Sequence, residues 1–287
     1  MKQFLSLNNS ILRILLPLFS TAFFGTATLN AQTWTFAGAG GSANAENGKA
    51  ICVDAAGNVY VTGQFTNTVD FDLGAGVANL TSNGANDIFI ASYTSAGVYR
   101  WAVRAGGTGA DNNSPNGGIC TDGVSVYVTG RYNGAATSFG GISLTPNGGT
   151  GTDAFVAKLN CTTGAFTWAV SMGGTGNVDT GAAMCLDPSG NLYLLGSFNN
   201  TMSGACANVS PGGFSDIMVS RINTTTGACL WMASGGSSTG NDGTLGGGIC
   251  FDPTSSSLVI ASNVTAGTAT FGGFSYTPAG GIDLVIL

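Results

Sequence analysis

Across residues 48–107, short runs of β-branched and aromatic residues alternate with clusters of Gly, Asn, Asp and Ser: GKAICVD (48–54), NVYVTGQF (58–65), DIFIASYT (87–94) and VYRWAVRAGG (98–107). Side chains that branch at Cβ or carry a ring suit a pleated, half-buried surface, and the residues between the runs are those that turn a chain. No apolar period of ~3.6 residues is sustained anywhere, so the pattern predicts strands and no helices. The same order of runs then recurs. Trp34, Trp101, Trp168 and Trp231 are spaced by 67, 67 and 63 residues, Cys52, Cys120, Cys185 and Cys250 by 68, 65 and 65, and Asp87, Asp153, Asp216 and Asp283 by 66, 63 and 67. Four strands per period of about 65 residues, without helices, predict an all-β fold, a β-propeller of four-stranded antiparallel blades. The units fall at about 48–107, 117–174, 181–236 and 247–287, with an outer strand at 33–38.

Counting strands leaves two arrangements. The lone outer strand TWTFAG (33–38) precedes three complete units, and the fourth unit shows its first three strands. Either 33–38 completes the fourth blade and closes a ring of four, or the chain is a fragment of a larger propeller. The abrupt stop inside a core strand favours the second.

The runs GNVYVTG (57–63), GNLYLLG (190–196), GTDAFVAKLN (151–160) and WAVSMGG (168–174) combine a D-x-x-G-N turn with Y-V-T-G, D-x-F-[VI]-A-K and W-A-x-x-x-G-G strands. In this the chain resembles the SBBP, or β-propeller, repeats of bacterial exported proteins, over Thr33 to Leu287. The resemblance implies a propeller fold and an outward location, and it implies no common catalytic activity. The fourth unit departs from the pattern: DPTSSSLVIAS (252–262) has Ser255 and Ser256 where the G-N turn is expected and Val259 in place of the strand Tyr.

Composition narrows the chemistry. With 287 residues, 44% of them hydrophobic and 8% charged, the chain has the apolar content to fold and too little charge to stay expanded. Its 47 Gly fit a turn-rich chain, and the absence of His removes Ser-His-Asp and Cys-His centres and imidazole bases. No basic stripe is present to displace counterions from phosphates, so no nucleic-acid partner is expected. Lys2 and Arg13 precede an apolar stretch, Ile14 to Phe24, that is interrupted by Pro17 and shorter than the ~20 residues of a spanning helix. Residues 1–31 therefore read as a signal peptide cleaved near Ala31-Gln32, leaving no transmembrane segment and a secreted or cell-surface domain at 32–287. Its formal charge is 6 − 14 = −8.

Each repeated side chain has a structural reading. Four Trp in one register are expected to fill the space between blades. Tyr132 and Tyr276 are the two loop-edge aromatics that could stack on a sugar. Asp54, Asp187 and Asp252 precede turns and are expected to accept backbone N–H groups there. Asp111, Asp179 and Asp242 recur in Gly-rich loops, where calcium is the alternative reading, but one carboxylate per loop falls short of the ~6–8 oxygens that ion takes. Cys52, Cys120, Cys185 and Cys250 read as small apolar side chains of the innermost strand. Cys206 and Cys229, placed at opposite ends of a blade ~17–20 Å apart, are expected not to bridge, and Cys161 completes a set of seven free thiols. Lys49, Arg100, Arg104, Arg131 and the register pair Lys158 and Arg221 are expected on a solvated face.

Catalytic signatures are missing from the sequence. Glu46 is the sole Glu, no Gly-Lys-Ser/Thr phosphate loop or G-x-S-x-G elbow occurs, and the Asp residues are spread one per repeat marker. No catalytic, cofactor-binding or metal residue is assigned, and no cofactor is expected. Two function classes follow: a non-enzymatic exported propeller acting as a binding or scaffold module for a protein or glycan ligand, or a carbohydrate-active hydrolase with carboxylates at the propeller mouth. An enzyme requires unique acids gathered at one face; the acids here keep repeat register, which favours the module. Long, nearly uncharged rim loops at 72–86, 140–150 and 204–215 are its expected docking elements.

Overall fold

A computed structural model describes residues 36–41, 46–111, 117–134, 137–147, 151–175, 178–202, 209–243 and 247–287. Residues 1–31, read above as a signal peptide, Trp34 and Cys206 lie outside these residues. The fold is all-β: four small antiparallel sheets follow one another around a ring as the blades of a four-bladed β-propeller. Blade 1 comprises β1 (Asn47–Val53), β2 (Val59–Phe65), the short hairpin β3 (Thr68–Asp70) and β4 (Asn79–Thr81), β5 (Asp87–Tyr93) and β6 (Tyr99–Gly106). Blade 2 comprises β7 (Ile119–Thr121), β8 (Ser125–Asn133), the hairpin β9 (Thr137–Phe139) and β10 (Ile142–Leu144), β11 (Thr152–Asn160) and β12 (Phe166–Met172). Blade 3 holds β13 (Thr180–Leu186), β14 (Leu192–Phe198), β15 (Asp216–Ile222) and β16 (Cys229–Ser237). Blade 4 holds β17 (Gly248–Asp252), β18 (Ser257–Val264), the hairpin β19 (Ala269–Phe271) and β20 (Phe274–Tyr276), and β21 (Asp283–Ile286).

The hairpins between the second and third main strands are additions to the four-strand pattern. They serve the neighbouring blade: β9 pairs with β6 of the blade before it, and β19 pairs with β16. In blade 3 the equivalent connection is marked by a bridge between Met202 and Val209, and in blade 1 β3 pairs with β4 alone.

Blades stack through their innermost strands, β1 on β7, β7 on β13 and β13 on β17. The period of two along each strand makes this possible, because alternate side chains point to opposite faces of the sheet. Ile88 and Ile90 of β5 meet Val128 and Phe155 of blade 2; Ala154 and Val156 of β11 meet Leu194 and Met218 of blade 3; Ile217 of β15 meets Ile260 and Val285 of blade 4. Outer strands lock onto the next blade by a repeated seat. The Trp101 indole N–H donates to the Cys161 carbonyl at 3.0 Å, and its ring lies over Gly164, whose φ of +71° favours glycine and where a Cβ would come within 2.6 Å of the ring. Trp168 repeats this over Gly227, donating to the Thr224 carbonyl at 3.3 Å.

The expected Trp packing thus holds at Trp101 and Trp168 and differs at Trp231, which is 38% exposed. Among the described residues β17 makes no such packing on β1, and β21 pairs with β18 alone. Residues 36–38 of the expected outer strand join no ladder; Gly38 and Gly40 lie against Leu73 and Asp70 of blade 1 instead.

Candidate functional site: blade junctions, rims and end grooves

At each junction one fully buried carboxylate ties two blades together. Asp111 accepts N–H groups from Gly107, at the end of blade 1, and from Asn133, the last residue of β8 in blade 2, at 2.6 and 2.8 Å. Asp179 accepts from Gly174 and Asn199 at 2.8 and 2.9 Å, and Asp242 from Ser237 and Thr265 at 2.6 and 2.8 Å. The backbone N–H of each acid donates back to the preceding blade, to the carbonyls of Asn86, Thr152 and Ser215. Both oxygens of every clamp are therefore engaged by backbone, the arrangement of a structural staple. Burial pushes the Asp111 carboxyl up, and pushes that of Asp179 up to about 6.

A second buried acid stands beside each clamp. Asp87 accepts from Asn83 N–H and pairs with Arg104 at 2.7 Å; Asp153 accepts from Asn147 N–H and Ser171; Asp216 accepts from Gly212 N–H. Each leaves its Oδ1 buried without a hydrogen-bond partner. Burial raises the carboxyls of Asp153 and Asp216, and the adjacent Asp242 adds to the effect on Asp216. Both acids of each pair are buried, and the pairs repeat at three junctions.

The opposite rim carries a second repeating network, at the turn between the first two strands of each blade. Asp54 accepts from Ala56 N–H, Asn58 and the Tyr60 hydroxyl, and Asp187 accepts likewise from Ser189 N–H, Asn191 and Tyr193. Slight burial raises both carboxyls, but these hydrogen bonds outweigh it and hold them below the usual range. Asp122, in the same register, accepts the Tyr127 hydroxyl at 3.0 Å. In blade 4, where Val259 replaces the Tyr, Ser255 donates to Asp252 and Ser256 takes the left-handed conformation that Gly57 and Gly190 take. Arg100, Lys158 and Arg221 belong to these networks rather than to a solvated face, and Arg104 pairs with Asp87 at the other rim. Arg100 lies over the Tyr60 ring and donates to Ser92, Lys158 lies over Tyr127 and donates to the Thr224 carbonyl, and Arg221 donates to Asn191.

Two other expectations need correction. Tyr132 is no sugar platform: it is fully buried, edge-on to Phe139. Tyr276 is exposed, with its hydroxyl donating to Asp283 at 2.7 Å. Seven free thiols are not found, because Cys229 is disulfide-bonded, whereas Cys52, Cys120, Cys161, Cys185 and Cys250 are free. The strand-length separation assumed for Cys206 and Cys229 overlooked that Met202 and Val209, which flank the connection holding Cys206, pack into the same apolar cluster as Cys229. Burial pushes the Cys52 and Cys185 thiols up to about 12 and about 11, so they are poor nucleophiles at neutral pH.

Concave space lies at the two ends of the blade series. A groove of about 380 Å³ on blade 1 is lined by Phe36, Ile51, Val61, Phe71, Phe89 and Tyr93 with Glu46 at its edge, and one of about 790 Å³ on blade 4 by Phe271, Phe274, Tyr276, Leu284 and Ile286. Neither brings two carboxylates face to face. Among the described residues no group of three or more His, Cys, Asp or Glu is placed to hold a metal ion, and no helix is long and apolar enough to cross a membrane.

No family model matches the chain, and no curated protein matches it. Among solved structures it is similar to the tail fiber of Staphylococcus aureus phage P68, at 11% identity and a TM-score of 0.23, over 85% of this chain and 50% of that one. The chain thus spans half the length of that tail fiber.

Proposed function

We propose that this is an exported, non-enzymatic β-propeller that serves as a binding or scaffold module for a protein or glycan at the cell surface or outside the cell. The observation that carries the reading is the use of the acids: the carboxylates in repeat register staple blades or fix turns, and the open grooves are apolar. A glycosidase requires two carboxyls facing each other across an accessible cleft at roughly 5–10 Å. The disulfide at Cys229 suits an oxidising compartment, and the resemblance to SBBP repeats and the leader-like first 31 residues point the same way.

The test uses protein recovered from outside cells that express the whole chain. Its N-terminus is expected at or near Gln32, and it is expected to turn over neither polysaccharides nor aryl glycosides. Intracellular protein that retains Met1 would overturn the location, and hydrolysis lost in Glu46→Gln would overturn the non-enzymatic reading.

A further inference from the structure

The three junctions answer the charge of their second acid differently. Two residues beyond each acid, Phe89, Phe155 and Met218 pair across the ladder with Arg104, Ser171 and Ser234, which therefore occupy one register. Arg104 donates to Asp87 at 2.7 Å, and Ser171 donates to Asp153 at 2.8 Å. Ser234 is exposed, and Asp216 is met by main-chain N–H groups alone, from Gly212 at 2.8 Å and from Gly213.

The junction of blades 3 and 4 thus holds two carboxylates without a counter-charge. Asp216 is 3% exposed and Asp242 is fully buried, and among the described residues no Lys or Arg pairs with either. Asp216 Oδ1 is buried with no hydrogen-bond partner. It points toward the neighbouring acid: the place a Cβ on Gly236 would take lies 2.5 Å from Asp216 Oδ1 and 2.9 Å from Asp242 Oδ2, so the two oxygens converge over a residue that has no side chain. Further oxygens surround them. The carbonyls of Ser237 and Gly240 lie within 3.0 Å of the Cβ place of Gly213, and the hydroxyls of Ser237 and Thr265 within 3.0 Å of that of Gly240. Leaving two carboxylates buried and unneutralised is costly, and one divalent cation cancels both charges. An oxygen-only surrounding without His suits a hard cation. Calcium takes ~6–8 oxygens from carboxylates, carbonyls and hydroxyls in flexible geometry, whereas magnesium demands a near-ideal octahedron and keeps several of its waters.

We propose that Asp216 and Asp242 bind one calcium ion at the junction of blades 3 and 4, with Asp216 Oδ1 as its anchor and oxygens of Ser237, Gly240 and Thr265 completing the shell. The ion does for Asp216 what the Arg104 guanidinium does for Asp87. Asp242 keeps its clamp, because an ionised carboxylate offers about four lone pairs and its two N–H donors use only part of them.

The test uses the purified mature chain stripped with EDTA, unfolded in urea in EDTA, in calcium and in magnesium at about 1 mM, with the calcium retained per chain measured by atomic emission. The wild-type midpoint is expected to move up in calcium and not in magnesium. Two variants place the site. Asp216→Asn removes the charge and keeps the shape, and Ser234→Arg, at an exposed position, supplies a guanidinium from the register of Arg104. Both are expected to unfold in EDTA at or above the wild-type midpoint, to lose the calcium shift and to retain one calcium per chain fewer. Should Asp216→Asn not fold, Ser234→Arg alone decides. A wild type whose midpoint and metal content ignore calcium overturns the proposal and leaves the two acids to share a proton. A calcium shift that persists in either folded variant overturns the placement, and an equal shift in magnesium overturns the choice of ion.

Discussion

A buried carboxylate whose two oxygens each accept a backbone N–H is easy to mistake in a sequence for a ligand or a turn. Asp111, Asp179 and Asp242 are visible as repeated acids in Gly-rich loops, but their acceptor role across blades is not, because the donors at Asn133, Asn199 and Thr265 are main-chain groups that leave no trace in side-chain spacing. Asp54, Asp187 and Asp252, with donors two to four residues away, are legible for the opposite reason. The two sets give opposite pH dependence. Asp179 binds its proton at about 6 when folded against 3.8 unfolded, and Asp111, Asp153 and Asp216 are raised in the same sense. Their contribution is fully present below the unfolded value and is lost as pH rises through the folded one. Urea unfolding is therefore expected to show stability rising as pH is lowered from 7 to about 5. Below 3.8 the depressed carboxyls of Asp54, Asp187 and Asp252 reverse the trend, since their contribution is lost as they take up protons. A stability that falls steadily from pH 7 downward would contradict the burial of the first set.

At the scale of elements, the main strands were readable because every one of them couples an apolar run to a turn, as in NVYVTGQF. The hairpins β3–β4, β9–β10 and β19–β20 were not, since three-residue strands inside Gly- and Asn-rich connections carry no periodicity. Yet β9 and β19 join their blades to the preceding ones, and the hairpin segments bring rings into the core. Phe139 of β9 lies 4.8 Å from the Phe155 ring and edge-on to Tyr132 and Phe166, and Phe71 takes the equivalent place against Phe65 and Phe89 in blade 1. Phe139→Ala is expected to cost about 3–5 kcal/mol, the usual loss for a buried ring that leaves a cavity. Val77→Ala, between β3 and β4 and exposed, is expected to stay within about 0.5 kcal/mol of wild type. Chemical denaturation of the two variants separates the cases, and equal effects would mean that the hairpins are not part of the core.

Among the described residues, stability reduces to blade terms plus three junction terms, as in other repeat architectures. Each of these junctions combines an apolar cluster with an aspartate clamp. The period of about 65 residues announced this plan in the sequence. Whether the ring closes was beyond its reach, because the residues that would close it, Ile51, Leu284 and Ile286, look the same whether covered or bare. The claim on which the account rests is that the repeated acids hold blades together instead of acting on a substrate. Its most direct measurement is the unfolding free energy of Asp179→Ala and Asp179→Asn at neutral pH. The alanine variant, which leaves the N–H groups of Gly174 and Asn199 unanswered, is expected to lose about 3 kcal/mol, and the asparagine variant, which keeps one acceptor, about half of that. Wild-type stability in both variants would contradict the account.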